Sequence, residues 1–185
     1  MPIFIIEHLE PKVYQWCVLE YRHISQIVGK ENLWFTNTNS SRLAKFGKAI
    51  PESVTTMNLK NACLLDLAAP VLLEPNEAKT FDYYIFGGIL GDHPAAGRTK
   101  ILANKINWAQ SRNLGPDQFS TDTAVLVTKK ITEGMPLEKI KFINQIEVET
   151  KFGESVILPY KYVVEDGKPV VAPGLIEMLA AQKEF

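Results

Sequence analysis

The chain alternates between short apolar runs and longer stretches of helical period. Ile3 to His8 (IFIIEH) is apolar, rich in β-branched residues and polar only at its end, which predicts a strand of a parallel sheet buried on both faces. The period then changes. Val13, Trp16, Cys17, Glu20, Ile24, Ile27 and Val28 fall on or near one helical face, with Pro11 suited to a helix start and Gly29 to a C-cap. NLWFT follows as a second strand, and strand, helix, strand at this length is a βα unit of a parallel sheet. Residues 37–61 are polar and irregular, with one short helix expected over Ser41 to Phe46.

Ala62 to Leu67 (ACLLDL) predicts another buried strand ending in an acid, APVLLEPNEAKTFD a connecting loop, and YYIFGGIL the next strand. RTKILANKIN reads as a helix. SRNLGPDQFS reads as a glycine-proline loop feeding a second amphipathic helix capped by Ser120 or Thr121, with Ala124, Val125, Val127 or Thr128, and Ile131 facing inward. After Pro136 the pattern is mixed: Ile157 to Val164 is strand-like, EDGKP is a turn, and Pro173 to Gln182 is a closing helix. The fold class is α/β, a mostly parallel sheet flanked by helices. One domain over 1–185 is expected, with a C-terminal extension from about 136 packed on it.

Composition narrows the function classes. The chain has 185 residues, 46% of them hydrophobic and 22% charged, which suits a globular core, and a formal net charge of -1 gives no bulk attraction to nucleic acid or anionic lipid. Cys17 and Cys63 stand apart inside apolar stretches, as two buried thiols of a reducing compartment would. MPIFIIEHLE has no basic n-region, and no apolar run reaches the ~18 residues of a membrane span, so a cytosolic protein is expected.

Three places could carry chemistry. Gly87, Gly88 and Gly91 fall where a parallel strand ends, the usual ligand edge of an open α/β sheet. Their spacing matches neither the dinucleotide fingerprint nor a P-loop, so a close approach by a flat polar ligand and a tight turn both stay open. Ser120, Thr121, Asp122 and Thr123 crowd a helix start, either as an N-cap or as part of a site. Glu7 and Asp92 close strands at the same sheet edge, and Glu20 borders an apolar helix face, where a carboxyl needs a partner or a cleft. His8, His23 and His93 show no metal-binding spacing, and no metal is expected.

IIEHLE, VLEYRHI, CLLDLAAP, FDYYIFGGILGDHP with GRTK, SRNLG, TDTAV, PLEKIKFI and PYKYV, in this order over nearly the whole chain, resemble the SPOUT-class S-adenosylmethionine-dependent methyltransferases. The resemblance is closer to the branch containing the arginine methyltransferase of a small-subunit ribosomal protein. It implies a deep trefoil knot, which local physics would not predict, and a methyl donor held by three loops. Carried onto this chain, the first loop gives Leu65 and Asp66, and the second gives Phe86, Gly87, Gly88, Leu90, Gly91 and His93. The third gives Arg112, Leu114, Gly115, Gln118, Thr121 and Thr123. SRNLG has Asn113 where a second arginine is commoner in the branch, and Ala95-Ala96 stand where a more polar stretch occurs.

The activity so implied is methylation of an arginine in a ribosomal protein. A guanidinium stays charged at neutral pH, so acids must orient it beside a cationic donor, and Glu7, Glu20 and Asp92 are the catalytic candidates. The rival is methylation of an RNA base or ribose, for which Lys12, Arg22, Arg98, Lys100 and Arg112 supply some positive surface. A scaffold that binds the donor without turnover is the third reading. Monomer and homodimer both stay open.

Overall fold

The computed structural model describes residues 1–88, 98–151 and 153–181. In chain order the main elements are β1 (Ile3–His8), α1 (Gln15–Val28), β2 (Leu33–Thr36), β3 (Lys48–Ala49), β4 (Ala62–Leu65), α2 (Pro75–Ala78), β5 (Tyr83–Gly88), α3 (Arg98–Lys105), β6 (Gln110–Arg112) and α4 (Thr121–Thr132). They are followed by β7 (Phe142–Ile143), β8 (Ile146–Glu149), β9 (Ser155–Leu158), β10 (Tyr162–Glu165), β11 (Lys168–Pro169) and α5 (Leu175–Ala180).

The first six strands form one sheet in the order β3-β2-β1-β5-β4-β6, and every neighbouring pair is parallel. Because strand residues alternate between faces, Phe4, Ile6, Phe35 and Tyr84 point to one side, where they pack with Tyr21 and Ile24 of α1 and Val127 and Ile131 of α4. Ile5, Leu64 and Ile85 point to the other, against Leu102 of α3 and Ile106. Burial on both faces explains why β1, β4 and β5 are continuous apolar runs. The register pairs Glu7 with Gly87 and His8 with Gly88, so these ends meet at the carboxyl edge of the sheet.

Several expectations are corrected in detail. α1 begins at Gln15, since Tyr14 is extended, Val13 and Tyr14 pack against the core, and Pro11 lies ahead of the helix. Its buried face is wider than one stripe, taking in Leu19, Tyr21 and His23, because the sheet, α4 and the C-terminal extension all cover it. Gly29 does end the helix, at φ 81. The 37–61 segment holds two single-turn 3-10 helices, Leu43–Lys45 and Val54–Thr56, and the edge strand β3. The loop expected before β5 contains α2, and the first residues of the loop expected before α4 form β6. Ile157 to Val164 is split between β9 and β10, which belong to different sheets.

The extension is two small sheets, β11-β10-β7 and β8-β9, and α5. The turn at EDGKP is the β10–β11 connection, with Asp166 and Gly167 at φ 49 and 76, the positive angles of a type I′ hairpin. Val148, Ala172, Leu175 and Leu179 close over Leu19 of α1, which seats the extension against the same helix that carries Glu20. Among the described residues, no helix is long and apolar enough to cross a membrane.

Candidate functional site

The sheet's carboxyl edge is built from strand ends and the starts of two helices. After β4, Asp66 turns the chain by accepting the backbone N–H of Ala68 at 3.1 Å on its own side chain. After β6, Asn113 stitches the following loop to this one. Its N–H donates to Val71 O at 2.8 Å, its carbonyl accepts from Leu73 N at 3.0 Å, and its side-chain amide donates to Ala69 O at 2.8 Å. Its Oδ1 accepts the N–H of Gly115 at 2.9 Å, and Gly115 sits at φ +94, a conformation that favours glycine. The two loops thus form one preorganised rim, with Leu65 and Leu114 buried beneath it.

Between that rim and the extension lies a buried polar cluster. Asp122, at the second position of α4 and 1% exposed, has three hydrogen-bond partners. Ser120 Oγ donates to its Oδ1 at 2.7 Å, the Thr123 N–H to the same oxygen at 2.9 Å, and His23 Nδ1 approaches Oδ2 at 2.8 Å. A carboxylate in the first turn of a helix is also favoured by the helix dipole. Glu20, one turn before His23 on α1, is 4% exposed, and its Oε2 has no hydrogen-bond partner. Burial, and next the negative charge of Asp122, push the Glu20 carboxyl well above its ordinary range. Tyr162 of β10 faces both acids, its phenol held protonated by burial and by their charge.

A second group lies nearer the strand ends. His8 Nδ1 and the Tyr21 hydroxyl are 3.1 Å apart, and Tyr21 also donates to the carbonyl of Gly88 at 3.4 Å. Burial holds the His8 imidazole below its ordinary range, against a smaller opposing effect of Glu10. The two cysteines are free and buried, each thiol pushed up to about 12 by burial.

The sequence-derived candidates separate in this geometry. Glu20 stands with an unsatisfied oxygen in the cluster. Glu7 points to the opposite face of the sheet and is saturated. It accepts from Thr36 Oγ1, from Ser53 Oγ at 2.6 Å and from Val54 N at 2.9 Å, tying β1 to the 37–61 segment. Gly88 is small for an internal reason: a Cβ there would overlap the Tyr21 hydroxyl oxygen and come within 2.6 Å of Ile6 Cγ2. Phe86 is core, its ring 6.3 Å from that of Phe4. The Arg112 side chain lies over the Phe81 ring in a bidentate pair with Glu77 of α2, which lowers the Glu77 pKa and raises its own. Gln118 accepts the Lys161 N–H on its carbonyl at 3.0 Å, and Thr121 and Thr123 are buried in the first turn of α4. Leu90, Gly91, Asp92 and His93 lie outside the described residues, and Gly87 is half-buried beside Glu7.

Asp122, His23 and Asn113 were missed as site residues. The signal for Asp122 was its place in the crowded helix start; nothing in the local sequence pairs it with His23, 99 positions away. The residues present fit a cationic ligand carrying an apolar ring system. Glu20 and Asp122 are buried acids, and Leu65 and Leu114 are buried apolar residues of the two rim loops.

A parallel sheet with this order and this loop pair at its carboxyl edge is a SPOUT-type methyltransferase fold. Trm10 from Thermococcus kodakaraensis shares it at a TM-score of 0.59, over 75% of this chain and 96% of that one, at 16% identity. The chain belongs to the SFM1-like family of protein arginine N-methyltransferases, whose pattern it matches over residues 3–184. It is 37% identical to protein arginine N-methyltransferase SFM1 of Saccharomyces cerevisiae, over 95% of this chain and 93% of that protein. The crystal structure of the yeast arginine methyltransferase SFM1 complexed with SAH superposes at a TM-score of 0.88, with 36% identity over 96% of this chain and 94% of that one.

Proposed function

We propose that this protein transfers a methyl group from S-adenosylmethionine to an arginine side chain of a ribosomal protein in the cytosol. The observation that carries the acceptor half of this reading is Glu20: a buried carboxyl with an unpartnered oxygen, beside a second carboxyl already locked by three hydrogen-bond partners. Two buried acids without a cation between them are electrostatically unfavourable. A guanidinium, always charged and flat, with paired donors that suit a carboxylate, completes the site.

The donor supplies a methyl on positively charged sulfur. Leu65, Gly87, Leu114, Gly115, Thr121 and Thr123 are the residues of this chain that would hold it, in the rim fixed by Asn113. Transfer is an in-line displacement, so the protein's task is to hold the arginine Nη roughly 3 Å from the methyl and aligned with the departing sulfur. Glu20 orients the guanidinium, Asp122 holds His23 and the start of α4 beside it, and Tyr162 closes the wall from the extension. Glu7 acts at one remove, by anchoring the end of β1 beside Gly87. Asp92 is part of the proposal as a further acid at the mouth. So is the trefoil threading. Its support is the sheet order, in which the chain passes from β5 over β4 to β6 and returns through α4 to pack on α1 and β5.

Glu20→Gln tests the acceptor role, because it keeps shape and removes charge. Its affinity for S-adenosylhomocysteine in calorimetry should stay at the wild-type value. Transfer to protein should fall at least ~100-fold, the scale of losing a charged orienting group. Wild-type transfer by this variant removes Glu20 from the mechanism.

A further inference from the structure

Methylation of a charged guanidinium must release one proton, and the structure bears on when that happens. Glu20 is enclosed by protein. From α4 it faces Asp122, and from β10 Tyr162, with Tyr160 beside that strand. On its own helix Cys17 and Tyr21 feel its charge, and Glu10, from the loop before α1, acts on the same two groups; His23 lies one turn further on. Of these, Asp122 has both carboxyl oxygens hydrogen-bonded, to Ser120, Thr123 and His23, whereas Glu20 Oε2 has no partner. The cluster therefore holds one negative charge well and a second one poorly.

We propose that Glu20 exchanges its proton for the substrate's guanidinium: it is a neutral acid in the empty site, is ionised when the guanidinium binds, and recovers a proton during methyl transfer. This rests on the arginine reading above. On binding, the Glu20 proton goes to solvent and the carboxylate pairs with the guanidinium. In the transfer step the Nη–CH3 bond forms and the S–CH3 bond breaks with its electron pair left on sulfur, while one Nη proton passes to Glu20. The methylated guanidinium keeps its single positive charge and now faces a neutral acid, so its hold on the site weakens at the moment the product exists. The proton of the net reaction is thus released at binding, and the chemical step needs no path for it to water.

The test follows the Glu20 side-chain carboxyl by carbon-13 NMR in the full chain with S-adenosylhomocysteine, assigned by its loss in Glu20→Gln. Methylguanidinium serves as the probe, below concentrations that unfold the protein. The expected spectrum at neutral pH is that of a carboxylic acid without the probe and of a carboxylate with it. Methylguanidinium affinity should fall about tenfold for each unit the pH is lowered, and Glu20→Gln should bind it weakly at every pH. A carboxylate signal in the probe-free protein overturns the exchange, and so does an acid signal that persists through the whole titration with methylguanidinium. Failure of arginine methylation with this exchange intact would remove the enzymatic reading alone. Arginine methylation with Glu20 ionised throughout would remove the exchange alone.

Discussion

At position 88 the side chain is missing because Tyr21 and Ile6 occupy its space. Gly88→Ala should therefore destabilise the fold by about 1–3 kcal/mol, as overpacking does, visible as a lower Tm. Adding Tyr21→Phe removes the oxygen that is struck and should restore part of that loss, since residues in contact couple. Full additivity of the two changes would show that Tyr21 is not what excludes a Cβ. Glu20 makes the other residue-scale prediction. Its folded-state pKa is raised above 4.5, so the folded chain holds that proton more tightly than the unfolded chain. The stability this contributes is complete below the unfolded pKa and is lost as pH rises through the folded one. Unfolding midpoints measured against pH should fall through that window in the wild type and fall less in Glu20→Gln. Parallel curves would mean Glu20 titrates normally.

At the scale of elements, the proposed donor rim is two loops joined by the backbone and side chain of one residue, Asn113. Asn113→Ala removes the bonds to Ala69 O and from Gly115 N, at a cost of about 1–2 kcal/mol. It should also weaken S-adenosylhomocysteine binding in calorimetry, because the rim is no longer preorganised. Unchanged affinity would place the donor elsewhere. The buried strands were legible in the sequence, since a parallel strand covered on both faces has to be apolar, as IFIIEH and ACLL are. The strand β6 was not, because QSR lies at a sheet edge, pairs on one side only and is too short to show a period. For Arg112 the sequence marks a charged residue near the third loop but not its partner, Glu77 of α2, 35 positions away.

Across the whole molecule, the proposed site draws on parts far apart in the chain: α1 for Glu20 and His23, α4 for Asp122, and the extension for Tyr162. Sequence reasoning singled out Glu20, because a carboxyl among Cys17, Ile24 and Ile27 is out of place on an apolar face. Its partner Asp122 belongs to a helix brought alongside only by tertiary packing, which no local period encodes. The seating of Val148, Ala172, Leu175 and Leu179 on Leu19 gives the extension its purpose in this account, as a wall that keeps water from the acids. The central claim is that these acids receive an arginine of a protein. Incubating the chain with methyl-labelled S-adenosylmethionine and separate ribosomal protein and RNA fractions decides it. The account predicts label in the protein fraction, recovered after acid hydrolysis as methylarginine and absent with Glu20→Gln. Label in the RNA fraction, with none in protein, would contradict it.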